Sequence, residues 1–106
     1  MPKYLLTASY TADGAKGLLK DGGSKRRAAA EQAIKSTGGK LEAFYFAFGD
    51  NDAYVIIDAP DNAAVVAASL AINASGAVRT QTVVLLTPEE VDQATKKAVT
   101  YQAPGH

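Results

Sequence analysis

Three groups of side chains in this sequence have the types and spacing to do chemistry. Asp50 and Asp52 stand one residue apart in Gly49-Asp50-Asn51-Asp52. Carboxylates that close can share a proton or hold a cation at the rim of a cavity. No further oxygen donors follow at the spacing of a metal loop, so no metal site is read here. Ser24, Lys25 and Arg26 follow the glycine pair Gly22-Gly23, with Arg27 next in line. Free backbone N–H groups at a helix start, a flexible glycine pair and nearby cations would hold a phosphate or carboxylate. The spacing is not that of a P-loop. The third group is aromatic: Tyr10, Phe44, Tyr45, Phe46, Phe48 and Tyr54, with Arg79 on an otherwise apolar strand. Tyrosine hydroxyls and that guanidinium are the polar contacts a cavity walled by these rings would offer a ligand. In an enzyme, Asp52, Tyr45 or Tyr54 would serve as acid or base. Lys25, Arg26 or Arg79 would stabilise an anion.

Each group also has a plain structural use. Asn and Asp tolerate the left-handed backbone of tight hairpin turns and Gly adopts it freely, which accounts for residues 49–52 without any ligand. The cations after Ser24 face the positive end of a helix dipole, unfavourable by roughly a few tenths of a kcal/mol per charge. They can instead point outward or pair with Asp50 or Asp52. Cross-strand aromatics are ordinary core and interface material. Asn73-Ala74-Ser75 fits a glycosylation sequon, but at the end of a buried helix it is discounted.

The elements that must position these groups read as follows. Lys3–Tyr10 is rich in β-formers and predicts a strand. Ala15–Lys20 offers a helical turn or two, and Asp21-Gly22-Gly23 breaks the pattern. Ser24 is a plausible N-cap for a helix over Lys25–Thr37, closed by Gly38-Gly39. Lys40–Ala59 reads as a hairpin folded over a tight turn at Gly49–Asp52. Its first strand puts Leu41, Ala43, Tyr45 and Ala47 on one side and Phe44, Phe46 and Phe48 on the other. Asp61 can cap a helix over Asn62–Ser75 that is apolar nearly all round and so is expected to be buried on more than one side. Ala77–Thr87 is the last strand. Thr87-Pro88-Glu89-Glu90 starts a helix over Pro88–Val99, leaving Thr100–His106 as a tail.

The order β-α-β-β-α-β predicts an α+β, ferredoxin-like fold with an extra C-terminal helix: a four-stranded antiparallel sheet with helices on one face. With 106 residues, one domain over 1–106 is expected. The uncovered face should turn polar if it meets water. These strands instead read as apolar on both faces. A patch that large predicts a second copy packed sheet against sheet, a homodimer, with a higher oligomer as an option. Phe46 is taken as part of that buried face, so Phe46→Asp should break the dimer. The other solution is a monomer with a ligand cavity.

Bulk composition narrows the partners. Formal net charge is zero, so nothing global points to nucleic acid or an anionic membrane. Residues 1–40 carry eight Lys/Arg against three Asp/Glu, and residues 41–106 carry three against eight. The chain has no cysteine, so thiolate chemistry is excluded; its single histidine is His106, so imidazole chemistry is not expected, and no cofactor is implied. Met-Pro-Lys-Tyr lacks the layout of a signal peptide and Ala63–Leu70 is far too short to span a bilayer, so the chain reads as cytoplasmic.

The runs GGSKR, GGKLEAFYFAFGDND, LAINASGAVRT and LLTPEEVD together resemble the GYD domain family. They spread over nearly the whole chain. The resemblance implies the dimeric α+β barrel group, in which ferredoxin-like protomers pair through their sheets. The Gly-x-Tyr-Asp turn of the family falls on Gly49-Asp50-Asn51-Asp52. Gly49 and Asp52 match, and Asn51 stands where the family has tyrosine. The family implies no firmly assigned biochemical function; its wider group includes monooxygenases, isomerases, decarboxylases and ligand-sensing domains. A small homodimeric domain binding an organic ligand in an apolar, aromatic pocket is therefore expected, with Ser24, Lys25, Arg26, Asp50, Asp52, Tyr10, Tyr45 and Arg79 as its candidate contacts. The alternatives are a cofactor-independent enzyme on a small organic molecule, or an assembly protein. Binding predicts a cavity near Tyr45 and Tyr54.

Overall fold

Alternation in KYLLTASY is what a strand with one covered face requires. In the computed structural model, which describes residues 1–106, these residues form β1 (Lys3–Tyr10), with Tyr4, Leu6 and Ala8 buried. There follow α1 (Ala12–Asp21), α2 (Gly23–Ser36), β2 (Lys40–Phe46), β3 (Ala53–Asp58), α3 (Asn62–Ala74), β4 (Val78–Leu85) and α4 (Pro88–Thr95). The strands make one antiparallel sheet in the order β2-β3-β1-β4, the α+β, ferredoxin-like arrangement expected from the sequence. Its core lies on one side, where Tyr4, Leu6, Val55 and Ile57 meet Ile34 of α2 and Val65 and Ala68 of α3.

The helical segment after β1 is longer than its residues suggested. Thr11 caps α1, its Oγ1 accepting from the Gly14 N–H at 3.3 Å and donating to the Gly76 carbonyl at 2.8 Å. Gly14 is buried where a Cβ would stand 1.9 Å from the Ala77 carbonyl oxygen, so no larger residue fits. The break falls at Gly22, whose φ of 83° favours glycine. Gly22 is also the N-cap of α2, with no side-chain cap bond. Ser24, expected from the sequence to cap this helix, therefore lies inside it and does not cap it. α3 starts as expected, Asp61 Oδ1 accepting from the Ala64 N–H at 2.9 Å. It is not buried on several sides, however: Val66 and Leu70 face out, because only one flank of the helix meets the sheet.

Register assigns the faces. Tyr4 opposes Ile57, Leu6 opposes Val55 and Ala8 opposes Ala53 on the helix side. Leu5 lies between Ile56 and Val83, and Thr7 between Tyr54 and Gln81, on the open side. In β2 a bulge at Leu41/Ala43 inserts Glu42. An extra residue shifts the alternation by one. Leu41 therefore shares the helix face with Phe44 and Phe46, while Ala43 and Tyr45 face the open side. This corrects the simple alternation, and it takes Phe46 off the open face. Lys3 Nζ ties the bulge down, donating to Glu42 Oε2 at 2.6 Å and to Asp58 Oδ1 at 2.9 Å. Those bonds, the one to Glu42 first, hold the Lys3 ammonium above its ordinary range.

The β2–β3 connection is not the left-handed turn its residues suggested. No residue from 49 to 52 has a positive φ. β2 ends at Phe46, and Phe48 is fully exposed in the loop. At the far end, Thr87 and Glu90 form the capping box read from the sequence, with Pro88 in the first turn, but α4 stops at Thr95, short of Val99.

Candidate functional site

α2 presents small residues to the sheet. Arg26, Ala29, Ala30 and Ala33 lie at i, i+3, i+4 and i+7, one stripe of a helix. Opposite them stand Leu6, Phe44 and Val55. Alanines do not reach far enough to fill the space, and a cavity of about 100 Å³ remains between α2 and the sheet. Its walls are almost wholly apolar. A mostly apolar, partly open space with a few polar groups suits an organic group.

Its polar atoms come from few residues. Tyr10, the last residue of β1, lines it together with Arg26 and with Thr80 of β4. The Thr80 hydroxyl is already engaged, accepting from Asn73 Nδ2 at 2.8 Å. The Tyr10 phenol and the Arg26 guanidinium have no hydrogen-bond partner, and Arg26 is in none of the ion pairs of the fold. Arg26 is half-buried and is the one charged residue lining the cavity. Both side chains also border an adjoining cleft with Asp13 and Asp21 of α1. Aromatic packing holds Tyr10 in place: its ring stacks on Phe46 at 6.5 Å, and Phe46 meets Phe44 edge-on at 5.1 Å. Gly23 permits this, since a Cβ there would lie 2.9 Å from the Phe46 ring.

The remaining sequence candidates lie elsewhere. Asp52 is half-buried and structural: its Oδ2 accepts from the Tyr10 N–H at 2.8 Å, and its own N–H donates to the Ala8 carbonyl at 2.7 Å. With the Ser9 hydroxyl donating to the Asp50 carbonyl at 3.2 Å, this pins the loop to the end of β1. Asp50 lines a polar depression on the open face with Asn51, Ser9, Arg79 and Gln81, away from the apolar cavity. Tyr45 and Tyr54 oppose each other on that same open face, exposed. The cavity expected beside them is instead behind the sheet. Ser24 and Lys25 are exposed on the first turn of α2, and Ser24 borders only a shallow depression with Arg27 and Phe46. Tertiary structure thus brings Tyr10 and Arg26 together and scatters the rest. The residues the sequence reading missed are Ala29 and Thr80; the alanine stripe starting at Arg26 was the available signal for the first. No group of three or more His, Cys, Asp or Glu side chains is placed to hold a metal ion, and no helix is long and apolar enough to cross a membrane.

The chain matches the GYD domain over residues 4–95. It belongs to the GYD domain family. The matched region runs from β1 to the last residue of α4 and so contains the cavity and the loop that Asp52 pins. No curated protein matches the chain. Within this GYD domain the Gly49–Asp52 loop is a structural joint: Asp52 holds the end of β1, and Asn51 lies at the edge of the open-face depression.

Proposed function

We propose that this GYD domain binds a small organic anion, an apolar body carrying one carboxylate or enolate, between α2 and the sheet. One observation carries the reading: an unpartnered guanidinium and an unpartnered phenol at an otherwise apolar cavity. The apolar body displaces nothing that was well hydrated, and Arg26 supplies a charge-assisted bond with Tyr10 as second donor. The test is calorimetric titration with short aryl and alkyl carboxylates and with the matching uncharged amides. Carboxylates should bind, and at a hundredfold excess over Kd should stabilise the fold by about 2.7 kcal/mol. Arg26→Gln should abolish the preference over amides, and Ala30→Leu should fill the cavity and exclude both. Failure of every carboxylate to bind, or unchanged binding in Ala30→Leu, overturns the reading. An enzymatic alternative would have Tyr10 as its acid or base, because Asp52 is committed to the β1 backbone.

We also propose that the working unit is a homodimer formed through the open sheet face. Leu5, Ile56, Val83, Tyr45 and Tyr54 make an apolar band there, with Tyr45 71% exposed. Large exposed apolar patches are uncommon unless they are interfaces. Sedimentation equilibrium should give twice the chain mass; a single-chain mass at all concentrations overturns it.

A further inference from the structure

The C-terminal segment finds no partner within its own protomer. Every residue from Leu86 to His106 is exposed and α4 buries none of its side chains. The arm gives the chain a longest dimension of 56 Å and a radius of gyration of 17.0 Å, against about 13 Å for a compact chain of about 100 residues. Yet α4 is built to persist, with a capping box and proline in its first turn. Eight residues alone make a marginal helix in water. Val91 is exposed on it, and Val99 and Tyr101, 80% and 75% exposed, follow beyond it.

An unfilled apolar groove lies at the opposite end of the sheet. Leu18 and Leu19 of α1 face Phe46 and Phe48 across Gly23, bordering an open groove of about 610 Å³ that also has Asp52 in its lining. Leu19 is 88% exposed and Phe48 fully so. α4 cannot reach this groove in its own chain. The arm leaves the sheet at Leu85, which pairs with Lys3 at the start of β1, whereas the groove is at Tyr10, the end of β1. Only Leu86 and Thr87 separate β4 from α4, a reach of about 7 Å, while the eight residues of β1 span about 26 Å. A second copy has no such limit.

We propose that α4 of one copy docks in the Leu19/Phe46/Phe48 groove of another, reciprocally, so that each arm lies beside the cavity end of its partner. Apolar faces match, Val91 against the two phenylalanines. Charges match as well. Lys25 and Arg27 lie among the first five residues of α2, whose Gly23 lines the groove, unpaired within the protomer and opposed to their own helix dipole. α4 carries Asp92 and Glu89 on one side of Val91, about 100° and 160° round the helix from it, while Glu90 is used in the cap. Reciprocal exchange closes the assembly at two copies. Pairing of the open faces across a two-fold axis perpendicular to the strands brings these ends together, but the docking requires only a second copy and stands apart from the ligand reading.

The chain has no cysteine, so one label position can be chosen freely. Thr95→Cys carrying a spin label, at natural isotopic abundance, is mixed with protein that lacks the label and is enriched in nitrogen-15. The amides of Leu19, Phe46 and Phe48 should broaden in the enriched copy. In sedimentation, Val91→Asp and Phe48→Asp should each weaken association about tenfold, and together little more than either alone. Lys25→Glu with Arg27→Glu should weaken it, and Glu89→Lys with Asp92→Lys should restore it. Broadening confined to other surfaces, its absence in a sample that sediments as a dimer, or a monomer at all concentrations overturns the proposal. If Val91→Asp leaves association intact while Tyr45→Asp abolishes it, the open face pairs without the arm, and this proposal fails while that one survives.

Discussion

At the scale of single residues, Asp52 carries the clearest change of role. Its position in the family turn and its neighbour Asp50 suggested a carboxylate at a cavity rim. In the fold its Oδ2 takes the Tyr10 N–H, the last donor of β1 and the residue whose side chain lines the cavity. Asp52→Ala should therefore cost about 1.5–3 kcal/mol of stability, the range for bonds to a charged acceptor, and Asp52→Asn less, as followed by urea denaturation. An equal loss in both variants would show that the charge, and not the bond, matters. Gly14 is a second single-residue constraint. With the Ala77 carbonyl oxygen 1.9 Å from where an added methyl group would stand, Gly14→Ala must push α1 away from the α3–β4 connection. A loss of about 1–3 kcal/mol is expected from such overpacking, and a variant as stable as the parent would contradict the close approach.

At the scale of elements, the bulge in β2 decides more than its size suggests. Inserting Glu42 puts three aromatic or aliphatic side chains, Leu41, Phe44 and Phe46, on the helix side of the sheet and leaves Tyr45 on the other. Lys3 is the residue that holds Glu42 to β1 and β3. Because its ammonium is held above the ordinary value by the folded state, its contribution is complete below the unfolded value near pH 10.4 and is lost as pH rises through the folded one. The stability difference between the parent and Lys3→Met should be flat through neutral pH and shrink above about pH 10.4. It should also shrink in high salt, since the pair is in solvent. A difference that grows with alkaline pH would reverse the assignment. α2 shows the same economy: its alanine stripe is a weak hydrophobic face by itself, and that weakness is what leaves the cavity open.

At the scale of the whole molecule, one sheet separates two apolar surfaces with different fates. The helix side closes over Tyr4, Leu6, Val55 and Ile57, while the open side leaves Tyr45, Tyr54 and Val83 in water. The residue that tests the proposed interface is thus Tyr45 and not Phe46. Tyr45→Asp should shift the chain to a monomer in sedimentation without large loss of secondary structure. Phe46→Asp should instead lower stability and disturb Tyr10, with which Phe46 stacks. If Tyr45→Asp remains dimeric, the open face is not the contact. The arm is a second feature left uncovered within the chain, since α4 buries none of its side chains.

Local rules were enough for much of this. The strand alternation of KYLLTASY, the Asp61 cap, the Thr87-Pro88-Glu90 start and the glycine break at Gly22 are set by neighbours a few residues apart, so they could be read directly from the chain and give the α+β order. The apolar content of both strand faces was equally legible. Contacts far apart in sequence were not. Whether Glu42 bulges depends on how β2 meets β3 and on Lys3, 39 positions away. The role of Asp52 depends on a backbone N–H 42 positions away. The cavity depends on which side of α2 faces Leu6 and Phe44. Sequence alone determined which elements exist and that they hold more apolar surface than one core can cover. Only the tertiary structure decided which tyrosine and which arginine meet, because that follows from strand register and helix rotation, and neither is set by local propensity.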